Sequence, residues 1–222
     1  MKRLMVKLGL VVLAAGTLGG VAAPSAASAS TKAKPATFTN TDTKRYYKNA
    51  KSKTAFYFKS YKSNGKTGTL LIFGDFNGKS ANVKYGVPTS IKLSKNKRTL
   101  TTKYKLIEFK TTDNKTTTSL TKKTYTFKLT KKSSTKFSTK VTGTKLNRRL
   151  ASATGKTYSY SKVKKSPAAT YAKKYVKPAM QKQYTDIFNN TDALTEAQKQ
   201  QYATEYTNNA VKTMINNFNY KA

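Results

Sequence analysis

Between residues 54 and 163 the apolar side chains recur at every second position, in runs separated by short turn sequences. In "TAFYFKSY" (54–61), Phe56 and Phe58 share one face, while "TLLIFG" (69–74) is apolar on both, as in a strand covered on two sides. Ala81, Val83 and Tyr85 alternate in 81–86, and Pro88 separates that run from "SIKLS" (90–94), with Ile91 and Leu93. The long run 99–109 turns Leu100, Tyr104 and Leu106 one way. Tyr125, Phe127 and Leu129 then alternate with Thr126, Lys128 and Thr130, and Phe137, Thr139 and Val141 with Lys136, Ser138 and Lys140. "KTYSYSKV" (156–163) closes the series. Period two between turn signals such as Asn64-Gly65 and Asn77-Gly78 predicts about eight antiparallel strands in a meander.

A mainly β fold follows, with the strands closed into a barrel or split into a two-sheet sandwich, and with C-terminal α-helices after it. In strand number and spacing, residues 37–165 resemble the small lipocalin-like (calycin) barrels of secreted bacterial proteins, although the lipocalin Gly-x-Trp signature is missing because the chain has no Trp. The resemblance implies an interior that holds either its own side chains or one small apolar ligand.

From Ser166 the period becomes helical. Ser166-Pro167 reads as an N-cap and first helical residue, Tyr171 and Tyr175 lie four apart, and Pro178 must kink or restart the helix, which can run on to Phe188. Thr195 and Gln198 have capping-box spacing. Ala203, Tyr206, Ala210, Met214 and Phe218, widened by Val211 and Ile215, form a stripe that predicts packing on the sheet or on the neighbouring helix.

The N-terminus predicts export. Lys2, Arg3 and Lys7 precede an apolar run (8–18) too short to span a bilayer, which needs about 20 residues. Ala27-Ser28-Ala29 fits a small-x-small cleavage site, giving a signal peptide over 1–29 and a mature start at Ser30. The chain has no Cys, hence neither a lipobox cysteine nor a disulfide framework, and no LPxTG motif or second apolar segment. The expected organisation is signal peptide 1–29, N-terminal extension 30–53, basic β domain 54–165 and helical segment 166–222. The expected product is extracellular, with no membrane span, and is held at a cell only non-covalently.

Charge sharpens this picture. Past Ala29 there are 41 basic against eight acidic residues, a net charge of +33. Residues 166–222 hold seven lysines and four acids, so residues 30–165 carry about +30. Such charge with modest hydrophobicity is also a mark of disorder, but disordered basic tails do not interleave aromatic strand formers at period two. The stretch 120–141 has seven lysines and no acid, and its lysines fall opposite the apolar face, where solvent should be.

The composition argues against catalysis. There is no His or Cys, which removes Ser-His and Cys-His nucleophile pairs and the usual zinc ligands, and no metal or cofactor is expected. Asp75 and Glu108 are the only carboxylate pair in the β domain worth weighing as a glycosidase dyad, and Asp75 sits in a turn that Asp favours for its own sake. Ser-x-x-Lys occurs five times, as chance gives in a chain this rich in both residues. Basic strands with aromatics could stack single-stranded nucleic acid, but here the aromatics fall opposite the lysines, and export removes intracellular nucleic acid as a partner.

The high Lys, Thr, Ser, Asn and Tyr content with no Cys resembles that of basic secreted surface and S-layer-associated proteins of Gram-positive lactic acid bacteria. That resemblance implies non-covalent retention on the wall by anionic polymers such as teichoic acid. Candidate contacts are the clusters Lys122-Lys123, Lys131-Lys132 with Lys136, and Arg148-Arg149. The bland reading of each cluster is solvated turn and face charge. The competing functions are capture of a small apolar ligand in a lipocalin-like barrel and, more remotely, action on membranes or on extracellular DNA. A membrane-active peptide needs a basic amphipathic helix, and the helices here are the least charged part.

Overall fold

The computed structural model describes residues 36–63, 65–78, 81–113, 115–142 and 157–220. Its nine strands are β1 (Tyr46–Asn49), β2 (Thr54–Ser63), β3 (Lys66–Asp75), β4 (Asn82–Leu93), β5 (Thr99–Thr112), β6 (Lys115–Leu120), β7 (Tyr125–Lys131), β8 (Lys136–Thr142) and β9 (Thr157–Val163). Eight of them close a ring, β1-β2-β3-β4-β5-β7-β8-β9 and back to β1, with every neighbouring pair antiparallel. This closed eight-stranded barrel excludes the sandwich and is compatible with a lipocalin-like barrel. The ninth strand, β6, pairs with the far half of β5 beyond its pairing with β7.

Three elements differ from the sequence-based expectation. β1 lies inside the expected N-terminal extension and is a full barrel member; four residues, with only Tyr47 buried, are too few for a period to register. β4 is one strand, not two. The register shift between Pro88 and Ser90 absorbs an extra residue, and the ladder to β3 has already ended at Leu71↔Gly86, so the missing Pro88 N–H removes no ladder bond there. β6, "KTTTSL", is exposed along nearly all its length and has no apolar alternation to betray it. The added β1 and the merged β4 cancel, which leaves the barrel at the expected eight strands.

Side chains fill the barrel. β2 and β7 stand four strands apart in either direction around the ring, yet the Phe56 and Phe127 rings meet edge to face at 5.0 Å. Tyr47 stacks on Phe56 at 4.7 Å, Tyr160 meets it at 5.0 Å, and Phe73 reaches Phe127 at 5.7 Å. Gly86 makes room here, since a Cβ at that position would come within 2.6 Å of the Tyr104 ring.

The segment before β1 closes one end. Phe38 N–H donates to the Lys97 carbonyl of the β4–β5 loop at 2.7 Å, and its ring packs on Phe137 at 5.7 Å. The 3-10 turn Asp42–Lys44 follows, tied back by Tyr47, whose hydroxyl donates to the Asp42 carbonyl at 2.8 Å.

Helices cover the outer face of β2, β3 and β4. α1 (Ala168–Tyr171) passes through a π-helical turn (Ala172–Val176) into α2 (Lys177–Asn189), and α3 (Glu196–Phe218) returns antiparallel beside it. Pro178 is the second residue of α2, directly after the π-helical turn, so the helix runs on through it, and the Thr195–Gln198 capping box opens α3 as expected. The buried stripe on α3 runs Ala203, Thr207, Val211, Met214, Phe218; Tyr206 instead lies half exposed against Tyr184 and Phe188 of α2. Phe218 is fully buried over the small pair Ala55↔Gly74, where a Cβ on Gly74 would come within 2.6 Å of its ring. Two barrel tyrosines satisfy the last carbonyls of α3: Tyr57 OH donates to Phe218 O at 2.8 Å and Tyr85 OH to Asn217 O at 2.9 Å. The helical segment is thus docked on the barrel by its C-terminal turn.

Candidate polyanion-binding surface

The helices sit over β3, and the strand diametrically opposite in the ring is β8. On that uncovered side, alternation and register settle what faces water. From β5 (99–105) through β7 to β8, every outward position is Lys, Thr or Ser. The register aligns them in rows across the strands. One row runs Lys92↔Thr101↔Lys128↔Lys140↔Thr157, over five strands. A second runs Thr99↔Thr130↔Ser138↔Ser159, with the Thr99 and Thr130 hydroxyls 3.0 Å apart. Lys92, Lys103, Lys128, Lys136 and Lys140 are exposed, and among the described residues no carboxylate pairs with them. Like charges placed directly opposite, as Lys128 and Lys140 are, oppose strand pairing. The sheet tolerates them without a compensating acid.

The residues expected from sequence fall in different places. Lys122 and Lys123 are exposed in the break between β6 and β7, where the Thr121 N–H donates to Leu106 O at 2.9 Å and the Lys123 carbonyl accepts from the Thr121 hydroxyl. Lys132 is exposed in the β7–β8 turn, and Lys136 opens β8 with its Nζ 3.3 Å from Ser161 Oγ. Lys131 is a correction. It continues the inward set of β7, is 5% exposed, and its Nζ donates to Asp42 Oδ2 at 2.8 Å, so it cannot meet an external polymer. Arg148, Arg149, Ala27 and Ala29 lie outside the described residues. The exposed lysines that the register brings onto one row, Lys92, Lys128 and Lys140, are scattered singly along the chain. Runs of adjacent lysines are visible in sequence, whereas strand register groups residues far apart in it.

Asp42 organises the other basic residues at the closed end. Its carboxylate is fully buried, accepts from Lys131 and from Lys162 (2.5 Å), and also accepts the Thr39 N–H at 2.8 Å. Burial alone would raise the carboxyl; the hydrogen bonds from Lys131, Lys162 and Thr39 outweigh it and hold the group below the ordinary aspartate range. Two lysines are therefore structural and are neutralised only in part by one acid. Burial also pushes the tyrosines of the lumen and of the helix interface upward: Tyr104 and Tyr160 strongly, Tyr85 up to about 12.

Of the two carboxylates weighed for catalysis, Asp75 is buried and accepts the Asn77 N–H at 2.9 Å, as a turn aspartate does, while Glu108 is exposed on β5. Among the described residues no helix is long and apolar enough to cross a membrane.

Compared with known proteins, the chain matches no family model, and no curated protein matches it significantly.

Proposed function

We propose that this is a secreted, non-catalytic cell-surface protein, retained electrostatically on anionic wall polymers such as teichoic acid. The observation that carries this reading is the outer face of β5 (99–105), β7 and β8, where every outward position is Lys, Thr or Ser, Lys128 and Lys140 are opposed across the strands, and among the described residues no carboxylate pairs with them. An external polyanion relieves that opposition. Each lysine contributes little alone, because screening sets in beyond roughly 8 Å at physiological salt, but many on one face add through avidity. Capture of a small apolar ligand in the barrel is less well supported, since aromatic rings from opposite walls touch where such a ligand would sit.

Retention of the protein on purified cell walls, with and without teichoic acid, across a salt series, tests the proposal. Binding should weaken steeply with salt and drop when the polymer is stripped. Retention indifferent to both would sink it.

A further inference from the structure

Resting on that reading, we infer a specific track: a linear phosphodiester polymer of sugar alcohols lies across the strands along the row Lys92–Thr101–Lys128–Lys140. Adjacent strands stand about 4.8 Å apart, so Lys128 and Lys140 present neighbouring charges and Lys92 a third some two strands away. A polymer with a phosphate in every short repeat can meet all three while running perpendicular to β5, β7 and β8. A polysaccharide with a carboxylate on alternate sugars places its charges too far apart for the Lys128–Lys140 pair. Lysine suits this task because it offers a compact charge on a flexible stem and follows a polymer without fixed geometry. The Thr101 hydroxyl in the row, with those of Thr126 and Thr130 beside it, can donate to phosphate oxygens or accept from polymer hydroxyls.

The same face argues against nucleic acid. Single-stranded DNA is held by aromatic side chains on which bases stack, in a basic groove. Here the aromatics of β5, β7 and β8 that belong to the core (Tyr104, Tyr125, Phe127 and Phe137) all point into the barrel and are buried. The outer face along the row therefore offers phosphate contacts and no stacking platform.

The test titrates purified protein with poly(glycerol phosphate) and, at matched phosphate, with oligothymidylate, across a salt series. The variant is Lys128→Gln with Lys140→Gln, and the control removes the same charge from the helices through Lys177→Gln with Lys212→Gln, both exposed. The expected result is roughly tenfold weaker binding at low salt for the barrel variant, with the log–log salt slope smaller by about two, one for each phosphate that the variant no longer neutralises. The helix variant should keep the wild-type slope. Equal weakening in the two variants would show binding by total charge, which overturns the track but leaves wall retention intact. Tighter binding of oligothymidylate would overturn the polymer class. If neither polymer binds at any salt, the track and the wall-retention reading fail together.

Discussion

Phe56 on β2 and Phe127 on β7 stand on opposite walls of the barrel, and their rings meet at 5.0 Å. That contact bridges the barrel interior from wall to wall. Phe56 is fully buried and also touches Tyr47, Phe73 and Tyr160. Phe56→Ala should lower stability by about 3–5 kcal/mol, the range for a buried aromatic cut back to Ala. The wild-type protein should not take up a small aromatic fluorophore, whereas the variant, if still folded, should. Denaturant melts and fluorescence titration read both. Stoichiometric uptake by the wild type would restore the ligand-binding reading.

Asp42 ties the segment before β1 to the ends of β7 and β9 through Lys131 and Lys162. Its carboxyl is depressed in the folded state, so its contribution is fully present above the unfolded value of about 3.9 and is lost as pH falls through the lower folded value. Asp42→Asn should cost about 3–5 kcal/mol near neutral pH, because it leaves Lys131 buried with no counter-charge. It should also flatten the fall in stability on acidification below about pH 4. Urea midpoints measured against pH for both proteins check the size and the slope. A parallel acid profile would mean that other carboxylates govern it.

The last turn of α3 is bound to the barrel by Phe218 and by the Tyr57 and Tyr85 hydroxyls. Ending the chain at Lys165 should uncover Tyr57, Ile72 and Val87 and lower the melting temperature. Phe218→Ala should produce much of that loss alone, about 3–5 kcal/mol. Calorimetry of the full chain should show a single transition. Two transitions, or an unchanged melting temperature after truncation, would make the helices an independent module.

Lys128 and Lys140 face each other without an acid. Replacing either with Gln should raise stability in the absence of any polymer, by about 0.2–1 kcal/mol, the scale of a cross-strand pair. The gain should shrink as salt screens the repulsion. Thermal melts at low and high ionic strength test it, and a loss of stability would mean that these stems pack on the sheet more than they repel.

Export with cleavage after Ala29 rests on sequence. Mass spectrometry of protein recovered from the medium should find Ser30 at its N-terminus, and an intact Met1 there would end that reading.

Much of the barrel is legible in alternation. Phe56, Leu71, Phe73, Tyr104, Phe127 and Val141 point inward as their periods require. What escapes is short, discontinuous or non-local. β1 offers one buried side chain, β6 none, and Pro88 reads as a terminator because the bulge that accommodates it is a property of the β4–β5 pair. The α3 stripe departs from expectation at Tyr206 because Thr207, polar by composition, is the residue that faces inward. Lys131 is hidden for a related reason: its carboxylate partner lies 89 residues earlier, in a segment with no periodic pattern. Surface grouping is the least legible of all, because Lys92, Lys128 and Lys140 meet only through register.

The placement of the helices over β3, opposite the lysine-bearing β8 side, makes the molecule an electrical dipole. Among the described residues, 166–220 carry six lysines and four acids, a net +2, while those before 166 carry 27 bases and four acids, a net +23, so the centre of charge is displaced from the helices toward the barrel. In the field of any negatively charged surface such a body experiences a torque before it makes contact. Facing such a surface, it would turn its bare strands forward and its helical hairpin away, so that molecules bound there would share one orientation.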